Sequence, residues 1–418
     1  MNRGVFAAKI GLRRIAAGLF RLCDILVPKD GRIVLVTNPD GDDQGAAVCL
    51  ALDKLRWRGQ IHWLVHQDPA PFAQWQQRRE LGKQRIRFSH LYSLRGIWAY
   101  FRASYVFYTH GALFNYAPPP GKLVVNLWHG MPIKKIWRGV PGSELPLSTY
   151  LLSTSDFFST VLMQASGFGP DKLLATGLPR NDFLSMARPA CVELAARLRG
   201  TADRLIFFMP TYRHSARGFM TEDGTETNSV LGLSQTDAEL LHAWLKKNRC
   251  KLIVKPHPMS INAGKAFEDD ACWAMIDEPS LFKHGMGLYE LLSQADLLVT
   301  DVSSVYVDFL VTQRPQILYF PDMQRYEETR GLLLHPLKDF APGPVVRTFP
   351  ELLAQLDVWI SGEDPWRARR KQLRDLMIPA SPQCAADSLL AALEMQGSAA
   401  TRSVLSAKQA GAERRILP

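Results

Sequence analysis

RIVLVTN, residues 32–38, is an uninterrupted apolar run that begins shortly after Pro28. A strand of a parallel sheet has this pattern because helices cover both of its faces. A predicted helix over 44–57 and a second apolar strand over 61–67 follow it, and the segments RIRFSH, SYVFYTH and LVVNLWH continue the series as far as His129. Strands that alternate with helices in this way predict a parallel, doubly wound sheet.

The same pattern restarts after a polar, proline-bearing region around 185–203. Its predicted strands are LIFFMP (205–210), KLIVKPHP (251–258), ADLLVTD (295–301) and PQILYF (315–320). A chain of 418 residues is also longer than one core usually organises. We therefore predict an α/β fold with two Rossmann-like domains facing a cleft, over residues 29–200 and 201–396, followed by a flexible tail over 397–418. Ligands of such sheets bind beyond the carboxyl ends of the strands.

Residues 1–28 are predicted to contain a basic amphipathic helix. Apolar residues recur at helical spacing from Val5 to Leu26, with arginines and Lys9 between them. Two interpretations stay open: the helix lies on an anionic membrane surface, or it packs on its own domain and leaves its arginines solvated. The sequence has no signal-peptide pattern and no run of about 18 apolar residues, so we predict neither secretion nor a transmembrane helix.

The bulk composition narrows the partners only partly. Lysine and arginine exceed aspartate and glutamate by ten, which favours an anionic partner such as nucleic acid, an acidic membrane surface or a phosphorylated substrate. The six cysteines are scattered, without a CxxC pair or a short Cys/His spacing. This pattern predicts reduced thiols in a cytoplasmic protein and argues against a structural zinc site.

Polar clusters follow several predicted strands, and together they indicate the lining of one cleft. They comprise His129; Lys255 and His257 in KPHP; Thr300, Asp301, Ser303 and Ser304 in TDVSS; Arg213 in TYR; and Arg180 in GLPRND. The sequence lacks the GxxxxGK[ST] loop of P-loop proteins and the GxSxG elbow of hydrolases. Hydroxyls and cations at strand ends, without paired carboxylates of the glycosidase type, indicate phosphate chemistry.

Each cluster also has a purely structural interpretation. His129 fits a core histidine bonded to a backbone carbonyl, and Lys134 and Lys135 fit a solvated helical turn. The serines of TDVSS fit the N-cap of the next helix, and so do Asn181 and Asp182 in GLPRND. Gly130 is expected to leave room for a substrate beside the backbone. The acidic loop over 40–43 is expected to cap the following helix, and we predict no metal.

The sequence resembles the CDP-glycerol glycerophosphotransferases, a family of teichoic-acid primases and polymerases with ribitol-phosphate and capsule-polymer members. The resemblance runs from about residue 100 to 360 and rests on the segments NLWHGMPIKKIW (126–137), TGLPRNDFL (176–184), FMPTYR (208–213), KPHP (255–258) and LYELLSQADLLVTDVSSVYVDFLVTQRPQILYFPD (288–322). It implies a GT-B-like arrangement with an acceptor-side first domain and a CDP-donor-binding second domain. It also implies transfer of a polyol phosphate from a CDP-polyol to a hydroxyl, with release of CMP.

The resemblance also implies roles for single residues. His129 would be the general base on the acceptor hydroxyl, and His257 would lie near the donor pyrophosphate. The donor phosphates and nucleotide would be held by Thr300, Asp301, Ser303, Ser304, Arg213, Arg180, Arg330 and Lys255. No metal or other cofactor is implied beyond CDP-glycerol or CDP-ribitol as donor substrate. The acceptor would be lipid-linked or a glycan, met on the cytoplasmic face of the membrane.

Two other functions remain open from the sequence. The first is a GT-B glycosyltransferase with a nucleotide-sugar donor, because the same two-domain cleft would serve it. The second is a non-catalytic protein that uses its positive charge to bind nucleic acid or a membrane. No helix-turn-helix, zinc-finger or RNP-type signature supports nucleic acid, so we expect no nucleic-acid partner.

Overall fold

The computed structural model describes residues 3–82, 86–113, 115–140, 142–211, 233–255, 270–379 and 384–395, and all of their side chains except those of residues 3–14. His257, Arg213 and the tail predicted over 397–418 lie outside the described residues. Within them, no helix is both long and apolar enough to cross a bilayer.

The first half of the chain forms a sheet of seven parallel strands in the order β3-β2-β1-β4-β5-β6-β7. Its strands are β1 Arg32–Val36, β2 Ile61–Val65, β3 Ile86–His90, β4 Ala103–Tyr108, β5 Leu123–Asn126, β6 Tyr150–Leu152 and β7 Leu173–Leu174. The α-helices are α1 Arg3–Leu26, α2 Asp43–Lys54, α3 Phe72–Arg79, α4 Leu94–Arg102, α5 Asp156–Ser166 and α6 Pro189–Arg199, and the 3-10 helices are Trp137–Gly139, Pro170–Lys172 and Pro179–Leu184.

The second half forms a six-stranded parallel sheet in the order β10-β9-β8-β11-β12-β13. Its strands are β8 Arg204–Met209, β9 Cys250–Val254, β10 Trp273–Met275, β11 Leu297–Thr300, β12 Gln316–Tyr319 and β13 Val345–Val346. The α-helices are α7 Gln235–Lys247, α8 Glu278–His284, α9 Leu288–Leu292, α10 Val305–Phe309, α11 Met323–Thr329, α12 Phe349–Ile360, α13 Arg367–Met377 and α14 Ala385–Ala392, and the 3-10 helices are Leu310–Thr312 and Leu337–Phe340.

Both sheets have the Rossmann order, which confirms the predicted fold class. In each sheet the strand that comes first in the chain is third in the order, and the order reverses between it and the neighbouring fourth strand, β4 or β11. The crevice at such a reversal, beyond the carboxyl ends of the strands, is where doubly wound sheets bind ligands. The apolar runs behave as expected, since residues 33–36 of β1 are almost fully buried.

A buried ionic network joins the two sheets. Arg79 of α3 donates to Asp43 of α2 and to Glu290 of α9, and Glu290 has no solvent exposure. Arg188 adds a bond of 2.6 Å from its Nε to Glu290 Oε1. The backbone N–H of Tyr289 donates to Asp43 Oδ2 over 2.8 Å. Each carboxylate therefore meets a donor from the other half of the chain.

The loop around residue 180 forms a second link between the halves. The structural interpretation of GLPRND, in which Asn181 or Asp182 caps a local helix, is wrong. The 3-10 helix Pro179–Leu184 has no side-chain cap, and the Asp182 carboxylate instead accepts the backbone N–H groups of Ala385 and Ala386 at 2.8 and 3.1 Å. Asp182 thus caps α14, which follows the second sheet in the chain and packs against α2.

The N-terminal helix α1 has two different faces. Its Asp24 is fully buried and accepts hydrogen bonds from Lys122 at 2.5 Å and Tyr116 at 2.9 Å, so the helix packs on the first domain. The opposite face carries a stripe of large aliphatic residues at helical spacing that are 54–72% exposed, namely Ile15, Leu19, Leu22 and Leu26. The interpretation in which the helix packs on its own domain is therefore confirmed for the face that carries Asp24, and docking of the exposed face on a membrane stays a prediction.

The buried network predicts a large effect of Glu290→Ala on stability. The substitution leaves Arg79 and Arg188 without their shared carboxylate, and breaking a buried ion pair costs roughly 3–5 kcal/mol. The urea midpoint of unfolding, followed by circular dichroism, should fall accordingly. Asp375→Asn, which removes an exposed ion pair with Lys371, should leave the midpoint unchanged. Equal midpoints for the two variants would show that the network does not hold the domains together.

Candidate active site

The carboxyl ends of the two sheets enclose a cavity of about 700 Å³. Both halves of the chain contribute to its wall, which includes His110, His129, Arg180, Ser303, Ser304 and Arg330. Phe72, Trp75 and Phe282 form an apolar part of the same wall. The rings of Trp75 in α3 and Phe282 in α8 stack there, with centroids 5.8 Å apart. The cavity thus combines an apolar side with a polar, partly cationic side.

His129 lies three residues beyond the end of β5, on a turn that the sequence had assigned to the strand. Trp128 adopts φ +59, a left-handed conformation that is rare for a bulky side chain. Its N–H donates to Asn126 Oδ1 over 3.0 Å. A backbone outlier of this kind costs on the order of 1–3 kcal/mol and persists only where the surroundings enforce it. The turn directs the residue that follows it to the cavity.

Gly130 completes the turn, but the expected room for substrate is not there. Its φ is +129, and a Cβ at this position would lie 2.1 Å from Ser304 Oγ and 2.9 Å from Arg180 Nη2. Glycine is therefore required because the second domain packs directly against this backbone. The contact brings Ser304 and Arg180 to the immediate neighbourhood of His129.

The imidazole of His129 is held by one hydrogen bond and one stacking contact. Its Nδ1 lies 3.3 Å from the carbonyl oxygen of Thr109, which can only accept, so we assign the proton to Nδ1 and the lone pair to Nε2. The ring stacks on His110 with centroids 4.1 Å apart and planes 14° apart. The core-histidine interpretation is thus correct for Nδ1, while the ring also borders the cavity.

The surroundings keep this imidazole neutral. Partial desolvation by the surrounding cleft walls is the main cause that lowers the pKa of His129 well below 6.5, although the ring keeps solvent access. The neighbouring His110, Arg180 and Lys134 lower it further, against a smaller opposite effect of the Thr109 carbonyl. A neutral ring with a free lone pair on Nε2 is the form that can accept a proton near neutral pH.

His110 belongs to the site although sequence analysis did not select it. Burial, followed by the charge of Arg180, lowers the pKa of His110 to about 4. The sequence signal that could have found it is its position two residues beyond β4, in the segment SYVFYTH, because His129 likewise follows the neighbouring strand β5 within three residues. The same rule of polar residues at strand ends would have found it.

Arg180 spans the two domains as predicted for a cleft residue. Its Nη2 donates to Asp308 Oδ2 over 2.6 Å, and its guanidinium lies 4.5 Å above the ring of Tyr289. Asp308 also accepts the Tyr289 hydroxyl at 2.6 Å. Arg180 Nε is buried and has no hydrogen-bond partner among the described residues. The guanidinium therefore retains a donor that its protein neighbours do not use.

The TDVSS segment divides into two parts. Ser303 and Ser304 line the cavity, whereas Thr300 and Asp301 do not. The Thr300 hydroxyl donates to the Met209 carbonyl over 2.6 Å, and Asp301 accepts the N–H and hydroxyl of Thr211. These two residues join the ends of β8 and β11 behind the cavity wall, which differs from the phosphate-binding role that the resemblance implied.

The expected serine cap is also wrong. Ser304 stands at the N-cap position of α10, but its backbone is helical, with φ −56 and ψ −17, and its side chain makes no capping hydrogen bond. Only Ser303 Oγ approaches the N–H of Val305, at 3.5 Å. The Ser304 hydroxyl faces Gly130 instead. It lines the cavity, where it can bind a ligand.

The remaining predicted cations have different surroundings. Lys255 follows β9, but its side chain is buried in an ion pair of 2.8 Å with Glu278 and does not line the cavity. Arg330 lines the cavity from the end of α11. Of the predicted donor-binding cations that the structure describes, Arg180 and Arg330 therefore reach the cavity.

Lys134 and Lys135 lie in extended backbone rather than in a helical turn. The N–H of Lys135 donates to the Gly331 carbonyl at 3.1 Å, and the N–H of Leu333 donates to the Ile133 carbonyl at 2.7 Å. This short antiparallel pairing closes the cavity between the domains. Lys134 reaches the cavity, where its ammonium group lies 5.6 Å from the Tyr326 ring.

The acidic loop over 40–43 caps the following helix, as the sequence predicted, and it also bridges to the end of β2. Asp42 Oδ1 accepts the Gly45 N–H at 2.9 Å and caps α2, and Asp40 accepts the backbone N–H of His66 at 2.8 Å. Burial raises the pKa of Asp42 to about 8, with a smaller contribution from the adjacent Asp43. A largely uncharged carboxyl group therefore lines the cavity at neutral pH.

Metal-ligand types come together elsewhere in the described part of the chain. His242, Asp270 and Cys272 place their ligand atoms within 4.8 Å of one another beside β10, outside the cavity lining. A 2.7 Å contact between His242 Nε2 and Asp270 Oδ2 explains the pair without an ion. All six cysteines are free thiols.

Comparisons with known proteins identify the family of this chain. The family model of CDP-glycerol:poly(glycerophosphate) glycerophosphotransferase matches residues 20–393. A teichoic acid poly(glycerol phosphate) polymerase of Bacillus spizizenii is 25% identical over 64% of this chain and 69% of its own length. A teichoic acid glycerol-phosphate transferase of Staphylococcus aureus is 28% identical over 57% of this chain, and the match spans 62% of that relative.

The fold is also that of a solved relative. A structure of the wall teichoic acid polymerase TagF superposes with a TM-score of 0.69 at 19% identity, covering 91% of this chain and 92% of the other. At this identity the superposition shows only that the two folds are alike. The family model shows family membership, because it matches most of the chain. The chain therefore belongs to the CDP-glycerol:poly(glycerophosphate) glycerophosphotransferase family.

Proposed function

We propose that this chain transfers a polyol phosphate, with glycerol phosphate favoured, from a CDP-polyol to a hydroxyl group of a lipid-linked or glycan acceptor, and releases CMP. The reaction would serve synthesis of a cell-surface polymer of the teichoic-acid or capsule type. The observation that carries the proposal is the neutral imidazole of His129, held with Nε2 unprotonated beside Arg180 and Ser304 in the cavity between the sheets.

In this mechanism His129 acts as general base. The acceptor oxygen attacks the β-phosphorus of the donor, and its proton passes to Nε2. The bond from this phosphorus to the bridging oxygen breaks, and the electron pair leaves with CMP. Such transfers depend mainly on positioning and on stabilisation of charge on the phosphoryl oxygens. Arg180, Arg330 and the hydroxyls of Ser303 and Ser304 are suited to the second task.

Two predicted participants keep their roles as part of the proposal. His257 would lie near the donor pyrophosphate and Arg213 would contact an anionic group. Thr300 and Asp301 would act indirectly, since they join β8 to β11 behind Ser303 and Ser304. No metal is needed in this scheme, because side-chain cations and hydroxyl donors offset the charge of the leaving group.

We also propose that the enzyme works on the cytoplasmic face of a membrane, where a lipid-linked acceptor would be presented. The exposed stripe of α1 supports this, because four large aliphatic residues on one helix face are unusual for a surface in contact with water alone. The neighbouring Arg21 is exposed, and the chain carries a net charge of +10. An exposed apolar stripe on a protein with a net positive charge is suited to an anionic bilayer.

The first test follows CMP release by purified protein with CDP-glycerol or CDP-ribitol and candidate acceptors. The His129→Gln variant should lose about 10²- to 10⁴-fold in kcat, the usual contribution of a general base, and should still bind CDP-glycerol in a calorimetric titration. His242→Gln, a surface substitution, serves as the matched control and should keep full activity. Normal turnover by His129→Gln would rule out the general base. Release of UDP or GDP from nucleotide sugars, without CMP release, would favour a glycosyltransferase instead.

The second test uses the pH dependence of donor binding. The pKa of Asp42 is raised to about 8, so the group is mainly neutral below this pH and becomes charged as the pH rises through it. A new negative charge in the cavity should then raise KM for the anionic donor above about pH 8. Asp42→Asn should remove this rise while retaining the α2 cap, because asparagine caps as well as aspartate. The same rise in the variant would exclude Asp42 as its origin.

The third test addresses the membrane surface. The wild-type protein should sediment with phosphatidylglycerol vesicles, and the double substitution Leu19→Gln/Leu22→Gln should abolish this binding without touching the buried face of α1. Leu240→Gln removes an equally exposed leucine from α7 and should bind as the wild type does. Undiminished sedimentation of the double variant would contradict membrane docking through this stripe.

A further inference from the structure

Gln44 is a polar side chain buried beneath the site, and sequence analysis gave it no role. It is the second residue of α2 and only 1% exposed. Its neighbours along α2 over 46–49 are small or apolar and buried. A glutamine amide at such a position is costly unless all of its hydrogen-bonding groups have partners.

Both Nε2 and Oε1 of Gln44 have hydrogen-bond partners, and these partners belong to the two functional segments. Nε2 donates to the carbonyls of Leu127 and Trp128 over 3.2 and 3.1 Å. Oε1 accepts the backbone N–H of Arg180 over 3.1 Å. One side chain therefore bonds both to the turn that carries His129 and to the loop that carries Arg180.

These bonds act where the backbone most needs support. Trp128 is the residue with positive φ immediately before His129, and Gln44 binds its carbonyl group as well as the preceding one. The opposite end of the same amide fixes the backbone of Arg180.

We propose that Gln44 is a positioning residue that sets the distance and orientation of His129 relative to Arg180 during transfer. The proposal rests on the proposed function, in which His129 removes the acceptor proton and Arg180 contacts the donor phosphates. Gln44 touches neither substrate directly; it acts through the backbone of both residues. An apolar residue of the same length would fill the space but would leave two carbonyls and one N–H without partners.

The test is a double-substitution cycle with Gln44→Met and His129→Gln. The measured quantity is the rate of CMP release from CDP-glycerol, divided by the amount of folded protein. Near-ultraviolet circular dichroism gives the folded fraction of each variant. Misplacement of a catalytic group by about 1 Å costs on the order of 10²-fold, so Gln44→Met alone should lower kcat by that order. In the His129→Gln background the same substitution should change the residual rate by less than about twofold, because groups that act as one unit are not additive. Gln44→Glu, which keeps the acceptor for Arg180 but loses the donors to the turn, should behave like Gln44→Met.

Gln316→Met provides the matched control. Gln316 is a buried glutamine of β12 whose side chain has no hydrogen-bond partner among the described residues, so its loss should leave kcat unchanged. Equal losses from Gln44→Met with and without His129 would overturn the proposal, as would wild-type kcat in Gln44→Met. Absence of CMP release by the wild-type protein with every CDP-polyol would instead refute the proposed function, which distinguishes the two failures.

Discussion

Arg79 and Glu290 form an ion pair in an interior from which water is excluded, and the pair joins α3 of the first domain to α9 of the second. Burial of two charges costs several kcal/mol each in desolvation, and only close geometry with additional hydrogen bonds offsets this cost. Asp43 and Arg188 supply those bonds. Sliding of one sheet past the other would leave buried charge unpaired, so the network fixes the separation between the carboxyl ends of the sheets and hence the shape of the cavity.

The chemistry of the cavity follows from this fixed contact. Close packing of the second domain on Gly130 brings Ser304 and Arg180 beside the turn that carries His129. The pKa of His129 is lowered by its position within the cleft and by the nearby His110, Arg180 and Lys134, while the Thr109 carbonyl selects the tautomer. Arg180 carries its positive charge near this ring, and the fully buried Asp308 of the second domain offsets that charge. A base and a cation can therefore coexist a few ångströms apart.

Sequence patterns predicted the strands well because a strand covered on both faces requires a continuous apolar run, as in β1 and β8. They extended several strands too far at the carboxyl end. Leu127 and Trp128 are apolar and look like part of β5, yet they leave the sheet in a turn that Gln44 and Asn126 stabilise. Capping rules also failed at Asp182 and Ser304. Asp182 accepts an N–H group of a distant helix instead of its own, and the Ser304 side chain caps no helix. A short polar side chain can bond to any group that lies nearby in space.

The sequence by itself determined the class of fold, the polar residues at strand ends and the family, because each depends on residue type and on spacing along the chain. His129, Arg180, Ser303 and Ser304 were found in this way. Only the tertiary structure decided that Thr300 and Asp301 lie behind the wall, that His110 stacks on His129, and that Gln44 bonds to segments 84 and 136 positions away. The physical reason is that hydrogen bonds and stacking act over a few ångströms in space, and distant parts of the chain come that close only once both sheets have packed.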